Sequence, residues 1–174
     1  MSKTLRKTAH YDLPPEQVWI ALTDPRALAE WLMPNNFSPV VGHKFRFQVD
    51  PMAGCDTRVD CEVLEVDRPH KLVYSWLPAL RKKPHPPGTK PSIVTWTLAP
   101  ENNGTRLNLV HEGLEVYPWW QRTMLRFGWG HMTKRMIPKV AAHLDSNGAW
   151  TPGAYPLEKR CYKTKTLSAA ELTF

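Results

Sequence analysis

Two hydrophobic periods divide the chain into a helical start, a run of strands and a helical end. After a weakly alternating stretch at residues 3–12, apolar positions between 15 and 32 recur at steps of three and four, the spacing of one helix face. Asp24 and Pro25 divide this stretch, because aspartate is a favoured N-cap and proline fits the first turn of a helix. The pattern therefore predicts one strand followed by two short helices.

The period changes to two over residues 43–113, where apolar and polar positions alternate. Five such stretches occur, and turn-forming residues such as Asn103 and Gly104 separate them. Short turns join antiparallel neighbours, so these stretches predict a meander with one apolar face. The large residues that this phase places on the apolar face include Phe45, Phe47, Tyr74, Trp76, Trp96, Leu109 and His111.

The helical period returns within residues 118–145. Apolar residues recur there at steps of three and four, and they are Leu125, Trp129, Met132, Met136, Val140 and Leu144. Gly128 and Gly130 weaken the middle of this helix, so a break is expected near them. Pro138 has no N–H, so it removes the helical partner of the Lys134 carbonyl and predicts a kink.

The order of these elements predicts an α+β fold. A sheet with one apolar face has to cover that face, and one long C-terminal helix laid across a curved sheet does so. A helix with its side chains is only about 10 to 12 Å wide, which is too narrow to fill the concave side of a wide, twisted sheet. Large side chains or a cavity occupy the remaining space, and the pattern permits either.

Four stretches in this order resemble the SRPBCC superfamily, whose helix-grip fold is shared with birch-pollen allergens and START lipid-transfer domains. They are LPPEQVWIALTDPRALAEWLMP, VLEVDRPHKLVYSW, TWTLAPENNGTRLNLVHEGL and GWGHMTKRMIPKVAAHL. The sequence is most similar to the activator-of-heat-shock-protein-90-ATPase-like, or polyketide-cyclase-like, group. The resemblance implies a β-α-α-β6-α fold, in which an antiparallel curved sheet wraps around the long helix with a cavity between them. It implies a domain at 1–148 and leaves 149–174 as an edge strand, a flap or a disordered extension.

The resemblance implies a function as well as a fold. The first hypothesis is a non-enzymatic module that binds a small apolar or aromatic, lipid- or polyketide-like molecule in that cavity. Its predicted lining is Phe45, Phe47, Tyr74, Trp76, Trp96, Leu109, His111, Trp129, Met132 and Met136. Two alternatives stay open: a cyclase, aromatase or hydrolase using His111 or Tyr74 as acid or base, and a co-chaperone-like interaction protein. Ordinary core packing also produces a methionine stripe and a paired, buried histidine.

Composition narrows the class of protein. The chain has 174 residues, 42% hydrophobic and 22% charged, which suits one soluble domain. It has neither a signal-type apolar N-terminus nor a membrane-spanning apolar run, so a cytoplasmic location is expected. Its three cysteines, Cys55, Cys61 and Cys161, are too few and too widely spaced for a disulfide framework or a metal site. We therefore expect no metal and no cofactor.

The net charge of +7 is compatible with an anionic partner. No zinc-finger or ribonucleoprotein motif occurs, so nucleic acid is not expected. A basic, proline-rich loop at residues 78–92 is long for the family that the sequence resembles. Its charged residues at 81–90 predict either contact with an acidic protein or lipid surface, or a solvated loop; they are Arg81, Lys82, Lys83, His85 and Lys90. Ligand identity and oligomeric state do not follow from the sequence.

Overall fold

The computed structural model describes residues 4–50, 58–79, 85–144, 149, 151, 153, 156–160 and 162–172. These residues form one strand, two helices, five strands and a further interrupted helix. The bounds are β1 Leu5–Tyr11, α1 Pro15–Thr23, α2 Pro25–Trp31, β2 Lys44–Gln48, β3 Arg58–Asp67, β4 Lys71–Pro78, β5 Ser92–Glu101, β6 Gly104–Glu112, α3 Trp119–His131 and α4 Ile137–Ala141. A π-helical turn, Met132–Met136, connects α3 to α4, and we call the continuous α3–π–α4 run the C-terminal helix.

The strands form one antiparallel sheet in the order β1-β6-β5-β4-β3-β2. Strands β2 to β6 follow one another as a meander, and β1 returns to pair with β6. The predicted α+β helix-grip class is confirmed: an open, curved antiparallel sheet is covered by a long C-terminal helix. Of the six strands that the β-α-α-β6-α pattern places after the first two helices, the described residues contain five.

Local sequence signals determine where α2 begins. The side-chain Oδ1 of Asp24 accepts hydrogen bonds from the backbone N–H groups of Arg26 at 2.8 Å and Ala27 at 3.4 Å. Pro25 is the first residue of the helix and has no N–H to leave unpaired. The predicted N-cap at Asp24 is therefore confirmed, and it separates α1 from α2 as expected.

The hairpin between β5 and β6 turns one residue earlier than the sequence suggested. Its central residues are Asn102 and Asn103, with φ of 49° and 63°, and Glu101 pairs with Gly104. A two-residue turn with positive φ at both positions matches the twist of the strands, and asparagine tolerates that conformation. Gly104 is the first residue of β6 and not part of the turn. A Cβ there would lie 2.2 Å from the carbonyl oxygen of Tyr11.

The C-terminal helix is continuous where a break was expected. Helix α3 runs through Gly128 and Gly130 to His131, so the prediction of a break at the two glycines is wrong. The interruption is the π-helical turn, which lies just before Pro138.

The π-helical turn explains how the helix accommodates Pro138. The N–H of Ile137 bonds to the carbonyl of Met132, five residues back. In this register the carbonyl of Thr133 would pair with residue 138, but proline has no N–H. The hydroxyl of Tyr11 donates to the Thr133 carbonyl instead. The carbonyl satisfied from outside the helix is therefore that of Thr133, whereas the sequence analysis assigned the lost partner to Lys134.

The described part of the C-terminal extension packs against α2 and β2. Tyr162 is buried, and Arg160 donates to the carbonyl of Ala29 at 2.9 Å and pairs with the buried carboxylate of Glu30. Further along, the guanidinium of Arg46 donates to the backbone carbonyl of Glu171 at 2.5 Å. The regular elements within the described part are two short 3-10 helices, Leu157–Lys159 and Ala169–Leu172. The boundary predicted at residue 148 lies outside the described residues.

Candidate functional site

The predicted lining residues lie between the sheet and the C-terminal helix. The eight on the strands and α3 are at most 4% exposed, and they are Phe45, Phe47, Tyr74, Trp76, Trp96, Leu109, His111 and Trp129. Met132 and Met136 lie in the π-helical turn, are half-buried and pack against the same core. The structure therefore brings all ten residues to one region of the interior.

Aromatic rings from the sheet, from α2 and from α3 contact one another in this region. The ring centroids of Phe47 and Trp76 are 5.7 Å apart, and those of Trp76 and Trp129 are 5.5 Å apart. Trp129 also lies 5.5 Å from Trp96, which lies 5.9 Å from Trp31 of α2. We call these rings, with Phe45 and Tyr74, the aromatic layer. Since the rings touch, they fill this part of the interior, and a bound molecule here requires them to move apart.

A groove of about 490 Å³ lies elsewhere, between β1 at the edge of the sheet and the C-terminal helix. Residues 8–13 line one side, and Lys134, Pro138 and Ala142 line the other. None of the ten predicted lining residues borders this groove.

A cluster of polar groups is buried beside the aromatic layer. The Ser92 hydroxyl lies 2.9 Å from His111 Nε2 and 2.9 Å from the Tyr117 hydroxyl, and it donates to the Trp76 carbonyl at 2.9 Å. On its other side the His111 ring accepts at Nδ1 from the indole N–H of Trp129, at 3.0 Å. We call Ser92, His111 and Tyr117 the polar cluster. It links β4, β5 and β6 to the inner face of α3.

Trp129 determines the protonation of His111. An indole N–H can only donate, so Nδ1 of His111 is unprotonated and the neutral ring carries its proton on Nε2, which donates to Ser92. Burial lowers the pKa of His111 to about 4. The ring is therefore neutral at pH 7 and both nitrogens are occupied, so an acid–base role near neutral pH would require one of these hydrogen bonds to break.

Tyr74 is likewise held as a neutral phenol. Its hydroxyl accepts a hydrogen bond from the indole N–H of Trp96 at 3.1 Å. Burial raises the pKa of Tyr74 far above its ordinary value, because a phenolate would be desolvated in the core. Neither residue that the enzyme hypothesis requires is poised to exchange protons at neutral pH.

The indole N–H of Trp76 differs from those of its neighbours. It is buried and has no hydrogen-bond partner among the residues that the structure describes. The backbone carbonyl of the same residue accepts from Ser92 at 2.9 Å and from Tyr117 at 3.2 Å. The ring centroids of Trp76 and His111 are 6.0 Å apart, so the indole lies next to the polar cluster. A buried donor without a partner costs about 1 to 3 kcal/mol. A molecule that brings an acceptor to this point recovers that energy.

Sequence reasoning missed two members of the polar cluster. Ser92 shares the alternation of Val94 and Trp96, and its phase could have placed it on the inner face. Tyr117 lies between the 3-10 turn Leu114–Val116 and α3, where no periodicity marks a side chain as inward-facing. Its position depends on a contact across 25 residues, which the local pattern does not contain.

The cysteines and charged residues do not form a second chemical centre in the described part of the chain. Cys61 is a free, buried thiol in β3, and burial raises its pKa. Cys55, Cys161, Arg81, Lys82 and Lys83 lie outside the described residues. Within the described ranges, no three histidine, cysteine or acidic side chains converge as metal ligands would. No helix there has the length and apolar character needed to traverse a bilayer.

Solved structures of other proteins share this architecture. Protein MLL2253 from Mesorhizobium loti is 32% identical, with a TM-score of 0.65, and the match covers 82% of this chain and 98% of that chain. DynU16, a protein in the dynemicin biosynthetic locus, is 21% identical with a TM-score of 0.64, over 82% of this chain and 48% of that chain. The Aha1 dimer from Colwellia psychrerythraea is 16% identical with a TM-score of 0.58, and the match covers 74% of this chain and 88% of that chain. The last two likenesses show the fold alone.

Sequence comparisons give the family. A comparison with curated proteins finds no match. The family model described as Activator of Hsp90 ATPase homolog 1-like protein matches residues 12–140, from the end of β1 to α4. That match covers most of the chain and includes both N-terminal helices, the whole meander and the π-helical turn. The chain therefore belongs to the Activator of Hsp90 ATPase homolog 1-like family.

Proposed function

We propose that this chain binds a small apolar or aromatic molecule that carries a hydrogen-bond acceptor, between the sheet and the C-terminal helix. The observation that carries the proposal is the buried, unpartnered N–H of Trp76 beside the polar cluster. Ligand sites of this kind combine apolar walls with a few placed polar groups, and the aromatic layer and Trp76 supply both.

A role in packing alone accounts poorly for this arrangement. Burying Ser92, His111 and Tyr117 requires every polar atom to be paired, and the three residues achieve this among themselves, with the indole N–H of Trp129 and with backbone. The Trp76 donor, immediately beside them, is left out. A phenylalanine at that position would preserve most of the ring contacts without an unpaired donor. The indole is therefore better explained by a partner that arrives from outside the chain.

Entry of a ligand requires the aromatic layer to open, and the π-helical turn is where we place this movement. Met132 and Met136 are half-buried there and pack over the core. Methionine is unbranched and adapts to differently shaped neighbours, and π-helical turns occur frequently at functional sites. A lipid- or polyketide-like molecule fits these apolar and aromatic walls.

The experiment compares two ligands of matched shape, 2-acetylnaphthalene and 2-ethylnaphthalene, of which only the first has a carbonyl acceptor. Calorimetric titration of the full chain is expected to show tighter binding of the ketone. Trp76→Phe should weaken ketone binding about five- to tenfold, the worth of one hydrogen bond, and leave the hydrocarbon unaffected. Trp96→Phe is the matched control, because the Trp96 N–H already pairs with Tyr74. Equal loss for both ligands in Trp76→Phe, or no binding of either ligand to the wild type, would refute the proposal.

The other two hypotheses gain no comparable observation. The enzyme alternative needs His111 or Tyr74 to transfer protons, and burial holds both neutral. Both ring nitrogens of His111 are paired, and the Tyr74 hydroxyl accepts from Trp96. The co-chaperone alternative rests on family membership. The hypothesis that residues 81–90 contact an acidic partner stays a prediction, since of its basic residues only His85 and Lys90 are described.

A further inference from the structure

Helix α3 exposes large apolar side chains on the side that faces away from the sheet. Trp119, Trp120, Met124 and Phe127 are 66%, 48%, 63% and 74% exposed. Residues 120, 124 and 127 are four and three apart, so they share one face, and Trp119 adjoins them at the helix start. We call these four residues the outer face of α3. Exposed apolar patches of this kind mark interaction sites in soluble proteins.

The helix that carries the outer face is basic and contains no acid. Between residues 118 and 144 the sequence has no Asp or Glu, and its cationic residues are Arg122, Arg126, Lys134, Arg135 and Lys139. An isolated solvated helix would normally mix both signs of charge along its polar positions. This segment therefore carries only positive charge, in addition to its exposed apolar face.

Lys7 of β1 adds to this positive region. Its Nζ lies 3.2 Å from the position that a Cβ on Gly130 would take, so it lies against α3 at the β1 edge of the sheet. Burial, and then the positive charges of Arg126 and Lys134, lower the pKa of Lys7. None of the three forms an ion pair with an acid within the described ranges. A basic cluster with no ion-paired acid in the part of the chain that the structure describes thus lies beside the outer face.

We propose that the outer face of α3 docks on the surface of a lipid bilayer that contains anionic lipid. Tryptophan and phenylalanine insert at headgroup depth, and Lys7, Arg126 and Lys134 lie near the lipid phosphates. A helix with Trp and Phe on one side, Lys and Arg beside them and no acid has the composition of a helix that lies in the membrane interface. Each basic residue near such a surface adds attraction that salt weakens.

Charge complementarity distinguishes this occupant from a second copy of the chain. A two-fold dimer through the outer face would place the same basic segment opposite itself, because such an interface uses the same patch twice. The chain carries a net charge of +7, so that arrangement is opposed by like-charge repulsion. An anionic bilayer supplies the missing negative charge and a place for four apolar side chains together.

The inference is separate from the proposed ligand site. The outer face and the aromatic layer lie on opposite sides of α3, with Trp129 buried on the inner side and Phe127 exposed on the outer. Membrane docking is measured without any small ligand, so failure of one proposal does not decide the other.

The test is sedimentation of the full chain with vesicles of phosphatidylcholine, alone or with about one-third phosphatidylglycerol. The wild type is expected to partition onto the anionic vesicles only, and less so when salt is raised. The double variant Trp120→Gln/Phe127→Gln should lower the partition coefficient by more than about tenfold, since two large apolar side chains no longer insert. Arg126→Glu should lower it by about tenfold or more.

Matched controls change exposed residues away from α3. Val40→Gln/Val41→Gln removes two apolar side chains that are 60% and 61% exposed, and Lys44→Glu reverses one exposed charge on β2. Both controls should bind within about twofold of the wild type, because we expect binding to depend on the residues of α3 and not on the overall hydrophobicity or charge of the chain. All variants change exposed side chains, so unchanged circular dichroism and Tm verify that they are folded.

Four results would overturn the proposal. They are absence of binding to anionic vesicles, equal binding to neutral vesicles, an equal loss in the controls, and wild-type binding by the α3 variants. Sedimentation velocity adds a fifth: a wild-type dimer that Trp120→Gln/Phe127→Gln abolishes would assign the outer face to a second copy instead.

Discussion

Trp76→Phe and Trp96→Phe remove the same atoms from two indoles of the aromatic layer but have opposite hydrogen-bond consequences. Both side chains are buried, and both rings pack edge-on against Trp129 at 5.5 Å. The N–H of Trp96 donates to Tyr74, whereas that of Trp76 has no partner within the described part of the chain. Comparing the two variants therefore cancels most of the packing loss and isolates the buried donor.

The expected difference follows from the cost of unpaired polar groups. Trp96→Phe leaves the buried Tyr74 hydroxyl without its donor, at a cost of about 1 to 3 kcal/mol. Trp76→Phe removes a donor that is already unpaired, so it relieves a penalty of similar size. Added to a common packing loss, these terms make Trp96→Phe less stable than Trp76→Phe by about 2 to 6 kcal/mol.

Urea unfolding followed by circular dichroism measures this difference, with native mass spectrometry showing that the samples carry no bound molecule. The slopes of the two unfolding curves should agree, so that the difference lies in the midpoints. If Trp76→Phe proved as unstable as Trp96→Phe, the Trp76 N–H would have a satisfied partner in the free protein. A ligand acceptor would then not be needed at that atom.

Two further predictions concern the hydrogen bonds that hold the helix to the sheet. The pKa of His111 is about 4 in the folded protein and near 6.5 in the unfolded chain, so the unfolded chain binds a proton first as the pH falls. The free energy of unfolding is therefore highest above pH 6.5, and it decreases by up to about 3 kcal/mol by pH 4. His111→Gln should flatten that part of the curve in urea unfolding at stepped pH, and an unchanged slope would contradict the assignment. Tyr11→Phe leaves the Thr133 carbonyl unpaired and should lower the free energy of unfolding by about 1 to 3 kcal/mol, whereas a loss below about 0.5 kcal/mol would show that water replaces the hydroxyl.

The sequence predicted correctly those elements that depend only on neighbouring residues. Asp24 and Pro25 place the start of α2 because the cap and the first turn need only neighbouring residues. Alternation placed Phe45, Tyr74 and Trp96 on the inner face for the same reason, since the side-chain period of a strand is independent of its partners. The ten predicted lining residues therefore gather in one region, although their role in binding is a proposal.

Features that depend on distant pairs did not follow. The π-helical turn before Pro138 is held by Tyr11, which is 122 positions away from Thr133 in the sequence. The pairing of Ser92 with His111 and Tyr117 likewise requires β5, β6 and the segment before α3 to be assembled first. Whether the rings fill the interior or leave a hollow depends on how side chains from several strands interlock, and alternation determines only which way each one points.

The apolar residues on the outer face of α3 do not belong to the periodic pattern that predicts the core-facing side of the helix. Leu125, Trp129 and Met132 account for the inner side of the helix, and all three pack toward the core. Trp120 and Phe127 fall outside this stripe, and no burial on folding compensates for their exposure. A helix that is apolar on two sides needs two partners: the sheet is the first, and the absence of acidic residues from 118 to 144 indicates an anionic second. Apolar residues that do not fit the core-facing period are thus a sequence signal for an external surface, and on this chain they coincide with a basic segment that has no acidic residue.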